Sequence, residues 1–174
     1  MHTNDTNKNG FSLIEVLVSV SIISFILLVL TSFVLEINTF NSKTTGKREV
    51  AQNAGKVLDL ITYEIKGAKS IYSPTTTQSQ LSLETYKYLP AGEEITFTDF
   101  FICGTNICQK KESKSPIPLM SNAVKVGSLQ FSEVLTGSYR SVKINLTVDY
   151  VNPSSNPNNN ASISLNSTVS LRSY

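Results

Sequence analysis

The chain has 174 residues and a formal net charge of +2, and charged side chains make up only 16% of it. This length suits one domain of ordinary size plus a separate apolar segment. The small net charge argues against a nucleic-acid partner without excluding one. Because the only histidine is His2, a histidine-based catalytic triad or histidine metal site within a folded domain is excluded.

The first element in the chain is a long apolar run. Residues 16–35 carry no charge, and a helix of that length rises about 30 Å, which is enough to cross a bilayer. The run follows a polar stretch, MHTNDTNKNG, and its exit, TSFVLEINTF, lacks the small-x-small site of an ordinary signal peptide. Glu15 stands at its mouth, where a carboxylate beside hydrocarbon is costly and needs an explanation.

An amphipathic helix is predicted directly after the apolar run. Its apolar side chains recur at steps of three and four residues, which is the helical period; they are Val50, Ala54, Val57, Ile61, Ile65 and Ala68. The two segments together predict a near-continuous helix from about Ser12 to about Ile71. Ser73 and Pro74 follow, and the residue before a proline disfavours helix.

The rest of the chain is predicted to form strands. Residues 141–151 and 162–171 alternate apolar and polar side chains, and the polar loop 152–160 between them favours an antiparallel hairpin. Further strands are predicted over 124–134, with a possible bulge at Gly127, over 94–102 and over 79–84. The predicted fold class is α+β, with one long helix packed on one face of an antiparallel sheet.

The two cysteines, Cys103 and Cys108, stand in the stretch CGTNIC. Gly104 and Asn106 between them favour a turn. The spacing is not that of a C-x-x-C redox site, and no second pair exists to hold zinc. We interpret the pair as a structural disulfide that closes a short hairpin after export, with free thiols as the alternative. No metal and no cofactor is predicted.

The N-terminal stretch GFSLIEVLVSVSIISFILLVL resembles the processing and methylation motif of type IV prepilins and type II secretion pseudopilins. In that family a polar leader ends in glycine, phenylalanine follows, and glutamate stands at the fifth mature position; these are Gly10, Phe11 and Glu15 here. The resemblance implies that a prepilin peptidase cuts after Gly10 and N-methylates Phe11. It also implies that Glu15 meets the Phe11 amine of a neighbouring subunit.

Two further features concern the subgroup. Residues 47–71 are more loosely similar to larger minor pilins of the pseudopilin J and PilW-like group. Many major pilins carry proline at the twenty-second mature position, which is Ser32 here, so a proline-driven break is not expected. Four serines offer milder weak points by bonding back to helix carbonyls: Ser19, Ser21, Ser24 and Ser32.

The resemblance divides the chain into four parts. Residues 1–10 are expected to form the leader, 11–36 the transmembrane and filament-core half-helix, 37–73 the amphipathic half-helix, and 74–174 the β-sheet region. The expected protein is a structural filament subunit and not an enzyme. It would sit in the inner or cytoplasmic membrane before assembly and in a surface or periplasmic filament afterwards. Its expected partners are other pilin or pseudopilin subunits, prepilin peptidase, the inner-membrane assembly machinery and membrane lipid.

Two other functions remain open at this point. One is a single-span, membrane-anchored extracytoplasmic binding or sensor domain that never assembles. The other is a secreted hydrolase or binding module with an atypical signal peptide. The cleavage position separates the three, because a cut after Gly10, no cut, and a cut beyond Leu35 each support a different one.

Overall fold

The computed structural model of the protein describes residues 10, 12–136, 139–153 and 159–172. In these ranges, helix α1 (Leu13–Lys66) is followed by strands β1 (Ser70–Ile71), β2 (Gln80–Thr85), β3 (Thr96–Cys103), β4 (Asn106–Lys111), β5 (Ile117–Pro118), β6 (Val124–Thr136), β7 (Tyr139–Tyr150) and β8 (Ser162–Ser170). The α+β class is therefore confirmed. The chain divides into two compact units, Met1–Asn41 and Ser42–Tyr174.

In the first unit, α1 exposes apolar side chains on every side and carries no charge over residues 16–35. The large apolar side chains from Leu13 to Leu35 are between 50% and 79% exposed, and none packs into a core of its own unit. This stretch contains no glycine and no proline, the two residues with the weakest helix propensity. The helix therefore presents hydrocarbon all round, as a segment in an apolar surrounding does.

In the second unit, the predicted apolar stripe is confirmed. All six of its side chains are at most 2% exposed: Val50, Ala54, Val57, Ile61, Ile65 and Ala68. Gly46, one turn before the stripe, is also buried. The Tyr150 ring lies so close to it that an added Cβ would be 3.1 Å from Cδ1 of Tyr150. A glycine at this point lets the tyrosine ring pack directly on the helix backbone.

The predicted end of the helix is wrong by about five residues. Helix α1 ends at Lys66 rather than near Ile71, and the Gly67 N–H closes the last turn on the carbonyls of Tyr63 and Glu64. The segment Ser70–Ile71 pairs with β2 as strand β1. The helix ends here for two reasons. Gly67 has a weak helix propensity, and the residues after it gain backbone hydrogen bonds to β2 instead of continuing the helix.

The strands form two antiparallel sheets instead of the single sheet expected. The first has five strands in the order β1-β2-β3-β4-β5, and the second has three in the order β6-β7-β8. The predicted hairpin of β7 and β8 is confirmed, with Asn145 opposite Asn166. The register of β6 on β7 shifts between Val126 and Ser128, which confirms the bulge at Gly127.

One apolar core joins the helix stripe to both sheets of the second unit. The largest fully buried side chain in it is Phe100 of β3, and β7 buries every second residue from Val142 to Val148. This alternation places one face of the three-stranded sheet on the core. In the five-stranded sheet, β2 and β4 each bury three consecutive residues, so both of their faces are partly covered. This core therefore holds the helix stripe and the two sheets of the second unit together.

Candidate processing and assembly site at the N-terminus

The predicted cleavage junction lies just before the helix. Gly10 and Ser12 are exposed, and the Ser12 carbonyl accepts the backbone N–H groups of Glu15 (3.0 Å) and Val16 (3.3 Å), which starts α1. A Cβ added at Gly10 would meet nothing within 4 Å. Phe11, the other predicted processing residue, lies outside the described residues.

Glu15 occupies the first turn of α1 and is exposed. A carboxylate there interacts favourably with the positive end of the helix dipole, which is worth about 0.3–1 kcal/mol at an exposed site. The ion pairs among the described residues do not include Glu15. The dipole therefore offsets only part of the cost of a charge beside hydrocarbon, and a counter-charge from outside the helix would offset more.

The segment Leu13–Ile37 is long and apolar enough to cross a membrane, and none of it is buried in the protein. Its 25 residues rise about 38 Å as a helix, which exceeds the roughly 30 Å of a bilayer's hydrocarbon core. Five hydroxyl groups in it bond to the carbonyl four residues back: Ser19, Ser21, Ser24, Thr31 and Ser32. The predicted back-bonding of the four serines is confirmed, and it gives these hydroxyls partners within the helix itself.

The two cysteines flank the turn of the β3–β4 hairpin, Cys103 as the last residue of β3 and Cys108 inside β4. They are joined by a disulfide, with Cα atoms 5.8 Å apart. Gly104 supplies the turn with a φ of +63°, a conformation that glycine adopts without strain. Asn106 begins β4 and fixes the neighbouring segment, because its side chain bonds to both the N–H and the carbonyl of Met120. Oxidation of the exported protein remains a prediction.

Two charge clusters of the second unit were not predicted. In the first, Lys69 donates to Glu84 (2.6 Å) and Ser70 donates to the other oxygen of Glu84 (2.7 Å). The hydrogen bond from Lys69, with help from Ser70, lowers the pKa of Glu84, and the same bond to Glu84 raises the pKa of Lys69. No local pattern in the sequence links residues 69 and 84, which meet only because β1 pairs with β2.

The second cluster surrounds Glu64, which is 4% exposed. Tyr88 and Gln109 donate to its Oε1 at 3.3 and 3.5 Å, and the Lys87 ammonium lies 3.6 Å from its Oε2. Each partner satisfies part of the buried charge, so the cluster is structural. Among the described residues, no group of three or more histidine, cysteine, aspartate or glutamate side chains is arranged to hold a metal ion.

One comparison with known proteins bears on the N-terminal site. The family model for the prokaryotic N-terminal methylation motif matches residues 5–31. The matched segment contains Gly10, Phe11 and Glu15 and most of the exposed apolar helix, and it supports the resemblance to type IV pilins and pseudopilins. No curated protein and no solved structure matches the chain.

Proposed function

We propose that this chain is a structural subunit of a type IV pilus-like or type II secretion filament. It is cut after Gly10, methylated on the new Phe11 amine and assembled through its N-terminal helix. The observation that carries the proposal is the methylation motif over residues 5–31, which ends within the apolar segment Leu13–Ile37, whose large side chains are exposed. Such a surface is stable only in lipid or against other apolar helices.

Glu15 has a specific role in this proposal. After cleavage, the amine of Phe11 in one subunit meets the Glu15 carboxylate of its neighbour. Two opposite charges about 4 Å apart attract by about 4 kcal/mol at an effective dielectric constant of 20, before the desolvation cost is subtracted. The pair forms only between subunits that stand side by side, so it favours assembly over the dispersed state.

The partners and the location follow from the same proposal. Lipid surrounds the helix before assembly, prepilin peptidase processes it, and the inner-membrane assembly machinery delivers it to other subunits in a surface or periplasmic filament. The looser resemblance of residues 47–71 supports a minor pilin of the pseudopilin J and PilW-like group. In this role the second unit is carried by the helix and performs no chemistry.

The test of the proposal is the chemical identity of the mature N-terminus. When the chain is co-expressed with a prepilin peptidase, intact mass and N-terminal peptide analysis should show a protein that begins at Phe11 with one added methyl group. Removal of residues 1–10 from the 174 leaves 164. Gly10→Leu should block the cut, because the small residue is what the peptidase reads.

The control for this test is Ser12→Ala, which lies on the other side of the junction and should still be processed. Space around Gly10 is open, so its replacement leaves the packing of the described chain unchanged. A chain that keeps Met1 in the presence of active peptidase would indicate a simple membrane anchor. A cut beyond Leu35 would indicate a secreted protein.

A further inference from the structure

Strand β8 forms the outer edge of the three-stranded sheet. At its two ends, the Tyr150 N–H donates to the Ala161 carbonyl (2.8 Å), and the Leu171 N–H donates to the Arg140 carbonyl (3.1 Å). Odd-numbered residues therefore bond to β7, and because backbone groups alternate in direction along a strand, the even-numbered residues 162–170 point theirs away from it. Within the described residues, these outward groups have no backbone partner.

The other sheet edges are covered or short. The outer edge of β6 is bonded to the rest of the unit at two points, where Val126 N–H donates to the Thr105 carbonyl and Phe131 N–H to the Gln78 carbonyl, both at 2.8 Å. Beyond Phe131 this edge carries the charged Glu133. Strands β1 and β5, at the edges of the five-stranded sheet, have two residues each. In the described part of the chain, β8 is therefore the long edge that carries neither such bonds nor a charged residue.

This edge lacks the features that normally prevent strand pairing. Proteins protect open edges with charged side chains, proline or bulges. Residues 161–171 contain no charge and no proline, and the register of β8 on β7 runs without a shift from Ser162 to Ser170. The covered strand β6, by contrast, carries Lys125, Glu133 and the bulge at Gly127.

The sequence of β8 identifies the strand that fits it. We infer that β8 pairs antiparallel with β8 of a second copy of this chain, centred on Asn166. The strand SISLNSTVS reads chemically alike in both directions except at one pair of positions, where Leu165 matches Ser167. In this register Ser162 faces Ser170, Ser164 faces Thr168 and Asn166 faces itself, so the even-numbered residues of both copies bring their outward backbone groups together.

The side chains support the same register. On the core-facing side, Ile163, which is only partly buried, lies opposite Val169 of the second copy, so apolar surface meets apolar surface. When a strand pairs with its own copy, a charged residue near the centre lies close to the same charge on the second strand, which is destabilising. Strand β8 carries no charged residue. The interface is isologous, with the two-fold axis at Asn166, and it joins two three-stranded sheets into one of six strands.

Site-directed cross-linking of the full chain tests the register. The protein is purified in detergent at less than one chain per micelle and treated with a short bismaleimide. Asn166→Cys should give a covalent dimer. Ser162→Cys alone should not, because eight residues of offset separate its two copies by about 27 Å. A mixture of Ser162→Cys and Ser170→Cys chains should cross-link, and the unsubstituted chain controls for Cys103 and Cys108.

A second set of variants tests the edge itself. Asn166→Lys sets two ammonium groups at the axis and should lower the dimer fraction at least tenfold, whereas Asn122→Lys in an exposed turn should not. Equal cross-linking at all positions, or an unchanged dimer fraction in Asn166→Lys, would overturn the inference. The register test stands on its own if a charged variant fails to fold, and neither test depends on processing at Gly10.

Discussion

At the residue scale, Glu15 differs from Glu64 and Glu84 in having an apolar helix on its C-terminal side. The partly buried Glu84 has a lysine and a serine as partners, and the buried Glu64 has a lysine, a tyrosine and a glutamine. The described part of the chain offers Glu15 the helix dipole and no ion pair. Its contribution should therefore emerge when a second chain supplies the opposite charge.

Substitution of Glu15 should affect assembly and leave insertion intact. Glu15→Ala removes a charge from the mouth of the apolar segment, so membrane insertion should be unchanged or easier. Incorporation into filaments should fall sharply, because the partner amine would be buried without its counter-charge. Glu15→Gln should behave like Glu15→Ala. The measurement is the fraction of each variant in sheared filaments relative to its membrane level, and equal fractions for all forms would rule out the pairing role.

The Lys69–Glu84 pair predicts a change in acid stability. The pKa of Glu84 is lowered from its ordinary value of 4.5, chiefly by the hydrogen bond from Lys69. A carboxylate with a lowered folded pKa stabilises the protein above its ordinary pKa and loses that contribution as the pH falls through the folded value. Glu84→Gln should therefore make stability less dependent on pH below about 4.5. Acid titration followed by circular dichroism measures this, with Glu93→Gln as the control on an exposed carboxylate; parallel curves for Glu84→Gln and wild type would contradict it.

At the element scale, period and alternation predicted the elements that the core uses. The stripe of α1 and the hairpin of β7 and β8 follow from side chains that repeat with the helix or strand period. Strands β1 and β5 could not be predicted in this way, because two residues are too few to show a period. They form because neighbouring strands offer backbone partners, as Glu84 does for Ser70.

The β3–β4 hairpin should survive loss of its disulfide. The closed loop is short, since Cys103 and Cys108 are five positions apart, and its entropic contribution lies below the roughly 3 kcal/mol of a 15-residue loop. The Cys103→Ser, Cys108→Ser double variant should fold with a slightly lower melting temperature, because Asn106 still holds Met120. Thermal unfolding measures the change. Two reactive thiols in denatured, exported wild-type protein would show that the disulfide does not form.

At the scale of the whole molecule, the division of the chain matches a change in surface chemistry. The first unit ends at Asn41 and the second begins at Ser42, a few residues beyond the apolar segment Leu13–Ile37. The arrangement of the strands into two sheets was not predictable, because the alternation of a single strand does not state which neighbour it pairs with. The buried cluster around Glu64 was missed for the same reason, since its partners lie 23 or more positions away in the chain.

Two fragments should separate the roles of the two halves of α1. A fragment that begins at Ser42 keeps the buried stripe and should be soluble and folded. A fragment that begins at Pro74 loses the stripe, exposes the apolar faces of both sheets and should aggregate. Circular dichroism and size-exclusion chromatography measure both outcomes. A folded, soluble fragment from Pro74 would show that the stripe is not needed for the core.

If the chain assembles as proposed, the exposure of the large apolar side chains of residues 13–35 has a consequence for the energetics of assembly. If the helix moves from lipid into a bundle of like helices, it exchanges one oily surrounding for another, and the release of ordered water that drives ordinary protein association contributes little. Packing and polar contacts between helices then supply most of the free energy of assembly. In such a system, one ion pair at the end of a helix contributes a larger share of the assembly free energy than it would at an interface driven by the hydrophobic effect.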